Sequence, residues 1–320
     1  MQKLSPISMT PAPDGTPLAN YCWPAAPNVP PPIADAADAG TGRPGMGRPG
    51  TGRPNIYLLH GLSEHAGRYD RLARWLTARG WTVGAHDHRG HGRSSGRPAT
   101  LRHQEDLVTD AVDRLRDWTQ AQGRPPILLG HSLGALVAVR IAQRRLADLD
   151  GLVLSSPPFV VNVPLWVRRT LSWMSLHAPD LQVPHGLAPA RISHDRAVVK
   201  AYRADPLVRR RMTGRLARFV DENGRQALRE ACLLPCRTLL MVAGDDSIVA
   251  AEGSRQFAQR APAELLTLRW YDTAWHEIFN ETAPIADPVY ADLDEWLART
   301  AQALSLSPVL VPSAQEASTP

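Results

Sequence analysis

Hydrophobic and polar positions alternate along most of the chain between two patterns, one typical of buried strands and the other of helices. Short apolar runs predict buried strands. They are NIYLLHG (55–61), WTVGAHD (81–87), PPILLGH (125–131), GLVLSSP (151–157), RTLLMVAG (237–244) and ELLTLRWYD (264–272). The segments between them repeat apolar residues at helical spacing, and the predicted helices begin near Tyr69, Leu107, Leu133, Ser254 and Val289. This alternation predicts an α/β fold, a mostly parallel sheet with helices on both faces.

Residues 160–236 interrupt the alternation. They contain no convincing strand and several helical segments, of which the first is VPLWVRRTLSWMSL (163–176). We interpret them as a helical cap inserted over the carboxyl edge of the sheet, where ligands bind in open α/β folds.

The two ends of the chain have a different composition. GTPLANYCWPA (15–25) predicts one strand of an early hairpin, and the repeat GRPGMGRPGTGRP (42–54) is too short and too rich in glycine to build a core. We expect the last residues to form a mobile tail. The predicted division is an N-terminal strand with a disordered Pro/Gly/Arg-rich insert (1–54), the core (55–159 and 237–304), the cap (160–236) and a disordered tail (305–320).

Composition narrows the class of protein. Hydrophobic residues make up 43% of the 320, which is enough for a large core. The sequence shows no secretory leader and no run of about 18 apolar residues, so we expect a cytoplasmic protein. The three cysteines, Cys22, Cys232 and Cys236, are an odd number, which argues against a disulfide framework. They are also too few for a zinc site.

The formal net charge of +5 is unevenly placed. Arg43, Arg48 and Arg53 lie in the repeat, and residues 209–211 are three consecutive arginines. A basic surface attracts anionic lipid or nucleic acid. Because no nucleic-acid-binding motif accompanies the charge, we expect no nucleic-acid partner and interpret these residues as a solvated face.

The chemistry is indicated by Gly130-His131-Ser132-Leu133-Gly134, which fits G-x-S-x-G at a predicted strand-to-helix corner. The glycines leave room for a strained turn that pushes the serine hydroxyl out of the sheet. The N–H of Leu133, at the start of the helix, points to the same space and can stabilise an oxyanion. Ser132 is therefore the candidate nucleophile.

A serine nucleophile needs a base and an acid, which follow it in the order Ser, Asp, His in folds with this corner. His276 follows the last predicted strand, on the same edge of the sheet as Ser132, whereas the other histidines precede or touch the serine or lie in the cap. Asp245 and Asp246 both follow the strand at 237–244, and spacing alone does not choose between them.

His86 and His88 raise the question of a metal. Alternate residues on a strand share a face, so both imidazoles can reach one ion. No third ligand stands at useful spacing, and the serine chemistry needs no metal. We expect no metal and no cofactor.

Five ordered motifs resemble the monoacylglycerol lipase branch of the α/β-hydrolases, which includes lysophospholipase-like esterases. They are HGLSEHAGRYD (60–70), DHRGHGRSSG (87–96), GHSLGA (130–135), GDDSIV (244–249) and WHEIFNE (275–281). ISHDRAVVKAYRADPLV (192–208) is similar to the cap of bacterial members. The resemblance runs from about Tyr57 to Leu297 and implies an α/β-hydrolase fold.

The resemblance implies further site residues. It selects Asp246 as the acid, because an apolar residue, Val249, stands three positions later. It also implies that the N–H of Leu62 is the second oxyanion donor. Glu64 and Arg68 match a charged pair at the polar end of the pocket. They either contact the substrate or form a salt bridge that holds the oxyanion loop, and we favour the salt bridge.

The reaction implied is hydrolysis of a carboxylic ester through an acyl-enzyme, with a monoacylglycerol or a lysophospholipid as the substrate class. A short-chain carboxylesterase, an aminopeptidase or an acyltransferase would use the same three residues. A non-enzymatic pseudo-hydrolase normally lacks one of them.

The first predicted helix of the cap (163–176) indicates whether the protein contacts a membrane. Its apolar positions extend so far around the helix that it is either buried against the core or in contact with lipid. In the second case Arg168 and Arg169 would lie at headgroups and the cap would touch a membrane surface transiently. The sequence leaves acyl length and oligomeric state open.

Overall fold

Ten strands and eight α-helices make up the part of the chain that the computed structural model describes, residues 7–27, 29–32, 54–161 and 164–306. The strands are β1 (Ser8–Pro11), β2 (Pro17–Trp23), β3 (Asn55–Leu59), β4 (Thr82–His86), β5 (Ile127–His131), β6 (Gly151–Ser155), β7 (Gln182–Pro184), β8 (Arg211–Thr213), β9 (Thr238–Ala243) and β10 (Leu266–Tyr271). The helices are α1 (Asp70–Thr77), α2 (Asp106–Gln122), α3 (Leu133–Gln143), α4 (Leu165–His177), α5 (Arg196–Ala204), α6 (Gly214–Arg229), α7 (Ala251–Arg260) and α8 (Ala283–Leu306).

Eight strands form one sheet in the order β1-β2-β4-β3-β5-β6-β9-β10. All neighbours from β4 to β10 in this order run parallel, whereas β1 and β2 are antiparallel. Every residue of β3, β4, β5, β6 and β9 is buried, as expected where helices cover both faces. The predicted α/β architecture is confirmed.

Two apolar layers enclose the sheet. Leu72 and Leu76 of α1 and Leu293 of α8 pack on one face, and Leu115 of α2 and Leu136 of α3 pack on the other. The parallel register aligns the carboxyl ends of β5, β6 and β9, with His131 beside Ser155 and Ser155 beside Met241. The loops that follow these three strands therefore open at one edge of the sheet.

The ends of the chain differ in part from the prediction. The expected hairpin is present, but it contains a second strand, β1, whose short polar sequence SMTP gives no strand signal. Helix α8 continues to Leu306, two residues into the expected tail. Residues 33–53, which hold most of the basic repeat, and residues 307–320 lie outside the described residues.

The expectation that residues 160–236 contain no strand is wrong. Strands β7 and β8 pair antiparallel, with Gln182 beside Thr213 and Pro184 beside Arg211. Three residues are too few for a period of two to be read from sequence. Helices α4, α5 and α6 complete this insertion between β6 and β9, and α4 packs against α6. None of the described helices combines the length and apolar composition needed to cross a membrane.

Candidate active site

The corner between β5 and α3 holds Ser132 in a strained backbone conformation, with φ 51° and ψ −118°. Such angles are costly for a residue with a Cβ and are concentrated at functional sites. The N–H of Ser132 donates to the carbonyl of Ser155 at 2.8 Å, which ties the corner to β6. The neighbours must be glycine, because a Cβ on Gly130 would collide with the backbone of Gly134, and one on Gly134 with the carbonyl of Leu59.

Asp246 and His276 are joined by a hydrogen bond. Asp246 Oδ2 lies 2.6 Å from His276 Nδ1, while Oδ1 accepts the N–H groups of Ile248 and Val249 at 2.8 and 3.1 Å. Asp245 points elsewhere and accepts the indole N–H of Trp275 at 3.0 Å. Of the two aspartates that spacing left open, the structure pairs Asp246 with the histidine.

The electrostatics of this pair favour a charged imidazolium. Burial by itself lowers the pKa of His276, but the carboxylate of Asp246 outweighs burial and the net pKa is raised. Burial likewise raises the pKa of Asp246, but His276 and the two backbone N–H groups outweigh it and the net pKa is lowered. His276 is thus equipped to accept a proton while Asp246 stays ionised.

His276 lies close to the corner that carries Ser132. Its ring centroid is 4.8 Å from that of His131, the residue before the serine. The hydroxyl of Ser156, just after β6, donates to the carbonyl of His276 at 3.0 Å. Ser132 Oγ has no hydrogen bond to another described residue, and catalytic hydrogen bonds are often long in the absence of substrate.

The loop from Gly61 to His65 lies against the corner. A Cβ on Gly61 would stand 3.3 Å from Ser132 Cβ, so this loop and the serine are in close approach. Leu62 follows Gly61 in this loop, and Leu133 is the first residue of α3. Within the described residues, neither N–H has a hydrogen-bond partner. Both are available to an oxygen atom near Ser132.

Glu64 and Arg68 form part of a buried charged network. Glu64 Oε1 accepts the N–H of Gly61 at 2.6 Å and the hydroxyl of Tyr69 at 2.5 Å, and its other oxygen pairs with Arg68. Arg68 also donates two hydrogen bonds of 2.7 Å to Glu277. Burial raises the pKa of Glu277, but Arg68 outweighs it and the pKa is lowered. These contacts form a salt-bridge network that holds the loop from Gly61 to His65 in place.

Sequence reasoning missed two carboxylates in this region. Glu277 is the second partner of Arg68, and Glu281 accepts the N–H groups of Trp275 and His194 at 2.8 and 2.9 Å. Both glutamates are buried. The only sequence signal was their presence in the motif WHEIFNE, which does not reveal their partners.

Ser132 opens into a cavity of about 130 Å³ between the sheet edge and the cap. Leu62 and Leu133 line it from the core, and most of the remaining wall is apolar. The cap contributes Leu171 of α4 and Val220 of α6, and the pair Arg168–Asp221 also lines the wall. The cavity suits an aliphatic group next to the serine.

The histidines considered for a metal are packed into the core. His86 Nδ1 lies 3.1 Å from the hydroxyl of Tyr57, and His88 Nε2 lies 3.1 Å from the carbonyl of His60. Burial lowers the pKa of His60, His86 and His88 well below the usual value, and that of His91 to about 4. Across the described residues, no three histidine, cysteine or acidic side chains are grouped to hold a metal.

Comparison with known proteins agrees with this geometry. A family model described as serine aminopeptidase, S33, matches residues 51–283. A monoacylglycerol lipase of Mycolicibacterium smegmatis is 34% identical over 76% of this chain and 87% of its own length. The human monoglyceride lipase is 30% identical over 79% and 85%. The chain belongs to the monoacylglycerol lipase family of α/β-hydrolases. It is a serine ester hydrolase of the monoacylglycerol lipase type.

Solved structures of this family support the fold. The crystal structure of the monoacylglycerol lipase of Paleococcus ferrophilus has a TM-score of 0.74 and 29% identity, over 88% of this chain and 99% of that one. The predicted α/β-hydrolase fold is confirmed.

Proposed function

We propose that the protein hydrolyses monoacylglycerols and related single-chain lipid esters through an acyl-enzyme on Ser132. The observation that carries this is the 2.6 Å hydrogen bond between Asp246 and His276, placed beside the strained corner of Ser132 and an apolar cavity. In this proposal Asp246 fixes the tautomer of His276 and stabilises its charged form.

The reaction proceeds in two steps. His276 takes the proton of Ser132 as Oγ attacks the ester carbonyl, and the N–H groups of Leu62 and Leu133 hold the oxyanion. His276 then gives the proton to the leaving alcohol, and the acyl group stays on Ser132. A water molecule, activated by His276, releases the fatty acid and restores the serine. Each oxyanion donor of this kind lowers the barrier by roughly 3 kcal/mol.

Glu64 and Arg68 act as a brace in this proposal. They hold the loop of Leu62 to the loop of His276, since Arg68 pairs with Glu64 on one side and Glu277 on the other. Contact with the alcohol portion of the substrate is a secondary role at most, because both side chains are already engaged.

We assign residues 160–236 the role of a cap that closes the acyl cavity, with 55–159 and 237–304 as the catalytic core. Helix α4 of the cap presents large apolar side chains to solvent: Leu165 (59% exposed), Trp166 (70%), Trp173 (58%) and Leu176 (65%). Buried packing therefore does not explain this face. Transient insertion of α4 into a membrane surface explains this face, and in this proposal the protein is a peripheral cytoplasmic enzyme.

The test is fatty acid release from a chain-length series of monoacylglycerols, with nitrophenyl esters, a lysophospholipid and amino acid nitroanilides as comparisons. We expect monoacylglycerols to be cleaved best and Ser132→Ala to be inactive. Cleavage of short activated esters alone would reduce the proposal to a carboxylesterase. Cleavage of nitroanilides alone would make the protein an aminopeptidase, and an active Ser132→Ala would mean the nucleophile is misassigned.

A further inference from the structure

The positive charge of the protein is concentrated in one part of the chain. Residues 160–236 contain thirteen Lys and Arg against six Asp and Glu, whereas the rest of the chain contains 23 against 25. The net charge of +5 is therefore a property of the cap.

Three of these cations lie along one face of α5. Arg196, Lys200 and Arg203 are spaced by four and three residues and line an open groove of about 790 Å³. Its lining includes His194 and Trp275 and no acidic residue. Four uncharged side chains, Ala190, Ser193, Val199 and Ala204, complete it.

The three cations have no ion-pair partner among the described residues, whereas Arg218 and Arg225 of the same cap pair with carboxylates. The nearest acidic residues in the sequence are engaged elsewhere. Asp195 accepts the N–H of Ala197 and caps α5, and Asp205 pairs with His65. Glu281 pairs with His194 of the lining at 2.8 Å, and the groove thus presents the three cations of α5 exposed and without an ion pair.

Trp275 gives the groove a rigid aromatic wall. Its indole N–H donates to Asp245, its ring stacks on His194 at 3.7 Å between centroids, and the guanidinium of Arg191 lies 5.4 Å from its ring. Trp275 directly precedes His276. A fixed tryptophan beside cations is the combination that membrane proteins place at the headgroup level.

We propose that this groove, lined by Arg196, Lys200, Arg203, His194 and Trp275, binds the phosphate headgroups of anionic phospholipids at a bilayer surface. The proposal rests on the proposed function in lipid ester hydrolysis, because a bilayer rather than an acidic protein is the partner that such an enzyme meets. Apolar residues exposed on α4 of the same cap favour a lipid partner as well. Each cation near an anionic membrane contributes enough that three together strengthen binding roughly a hundredfold.

The experiment measures co-sedimentation of the full chain with phosphatidylcholine vesicles, with and without phosphatidylglycerol. It uses a Ser132→Ala background so that lipid turnover plays no part. The test variant is Arg196→Gln/Lys200→Gln/Arg203→Gln. The control, Arg74→Gln/Arg116→Gln/Arg299→Gln, removes the same charge from positions of 67%, 73% and 72% side-chain exposure on α1, α2 and α8.

We expect wild type and control to bind the anionic vesicles and the groove variant to bind roughly a hundredfold more weakly, with added salt weakening the first two. Equal loss in both triple variants would mean that net charge alone matters, and unchanged binding by the groove variant would exclude the groove; either result overturns the proposal. The proposal would also be overturned if calorimetry showed that glycerol phosphate binds as tightly as vesicles do, which would make the groove a small-anion site. Binding of an acidic protein to the groove, without binding of anionic vesicles, would overturn it as well.

Vesicle binding and catalysis are read separately. With Ser132 restored, the groove variant should cleave a soluble nitrophenyl ester at the wild-type rate and lose activity only on monoacylglycerol in anionic vesicles. If no lipid ester is cleaved by the wild type while vesicle binding persists, the proposed function fails and the groove stands.

Discussion

Arg68 donates two hydrogen bonds of 2.7 Å to Glu277, the residue that follows His276. Because Arg68 also pairs with Glu64, it connects the loop that carries Leu62 to the loop that carries His276. These loops come from opposite ends of the core sequence. One buried guanidinium therefore holds the loop of the proposed oxyanion donor, Leu62, to the loop of the proposed general base, His276.

Removing this guanidinium should be costly. Arg68→Met leaves the buried carboxylates of Glu64 and Glu277 without their ion-pair partner, and we expect a loss of about 3–5 kcal/mol in the free energy of unfolding. We also expect kcat to fall at least about tenfold, since small misplacement of catalytic groups is expensive. The control is Arg74→Met, which removes an exposed guanidinium paired with Asp70 and should change stability little, because solvent screens such a pair. Equal effects of the two substitutions in urea unfolding would refute the brace.

The two neighbouring aspartates provide a matched pair of variants. Asp246→Asn should lower kcat by about 10³–10⁴-fold, because the amide favours the wrong tautomer of His276. Asp245→Asn should retain kcat within several-fold, since Asp245 bonds the indole of Trp275 and not the imidazole. Steady-state kinetics on a soluble nitrophenyl ester measures both. The reverse ranking would assign the acid to Asp245.

The pH profile reports the same pair. In the proposed mechanism activity requires neutral His276, and the pKa of His276 is raised above the usual value of about 6.5. The acid limb of kcat/KM should therefore lie above pH 6.5. In Asp246→Asn the carboxylate that does most to raise the pKa of His276 is gone and only the weaker influence of Glu277 and Glu64 opposes burial, so the limb should move to lower pH while the maximum falls. A limb that stays in place would mean that Asp246 does not set the pKa of His276.

Buried neutral histidines should make the fold sensitive to acid. The pKa values of His60, His86 and His88 are well below normal, and burial lowers those of His91 and His131 to about 4 and about 3. The unfolded chain takes up protons near pH 6.5, so full stability holds above that pH and falls as pH drops from 6.5 toward the folded values. Each histidine contributes a loss of up to about 1.4 kcal/mol in the free energy of unfolding for every pH unit of this fall.

Urea unfolding between about pH 8 and about pH 4 measures this loss. His91→Gln should reduce the slope of the unfolding free energy against pH by the equivalent of about one proton. At neutral pH its free energy of unfolding should be close to that of the wild type. A wild-type unfolding free energy that is flat below pH 6.5 would contradict the neutral state of this cluster.

The strain at Ser132 can be measured directly. With φ 51° and ψ −118°, the residue occupies a region that costs glycine less than any residue with a Cβ, alanine included. Ser132→Gly should be more stable than Ser132→Ala by about 1 kcal/mol, after the larger entropy of glycine in the unfolded chain is offset. Both variants should be inactive. Equal urea midpoints for the two would show that the corner stores no strain.

Much of the fold and the candidate nucleophile could be predicted from the sequence by local rules. Apolar runs mark β3, β4, β5, β6, β9 and β10 because a strand covered on both faces must be apolar throughout. The glycines around Ser132 mark the corner because only hydrogen fits against Leu59 and Ala135. The closeness of Ser132 and His276 is predicted because both follow strands whose carboxyl ends lie at the same edge of the sheet.

The tertiary structure decided the rest. The strands β7 and β8 are too short for a readable period and exist because residues 29 apart, Gln182 and Arg211, are brought together. The link from Arg68 to Glu277 spans 209 positions, and no local pattern specifies which carboxylate an arginine meets. The tertiary structure also decided that the cations of α5 lack an ion pair among the described residues, because this depends on where the nearby carboxylates lie.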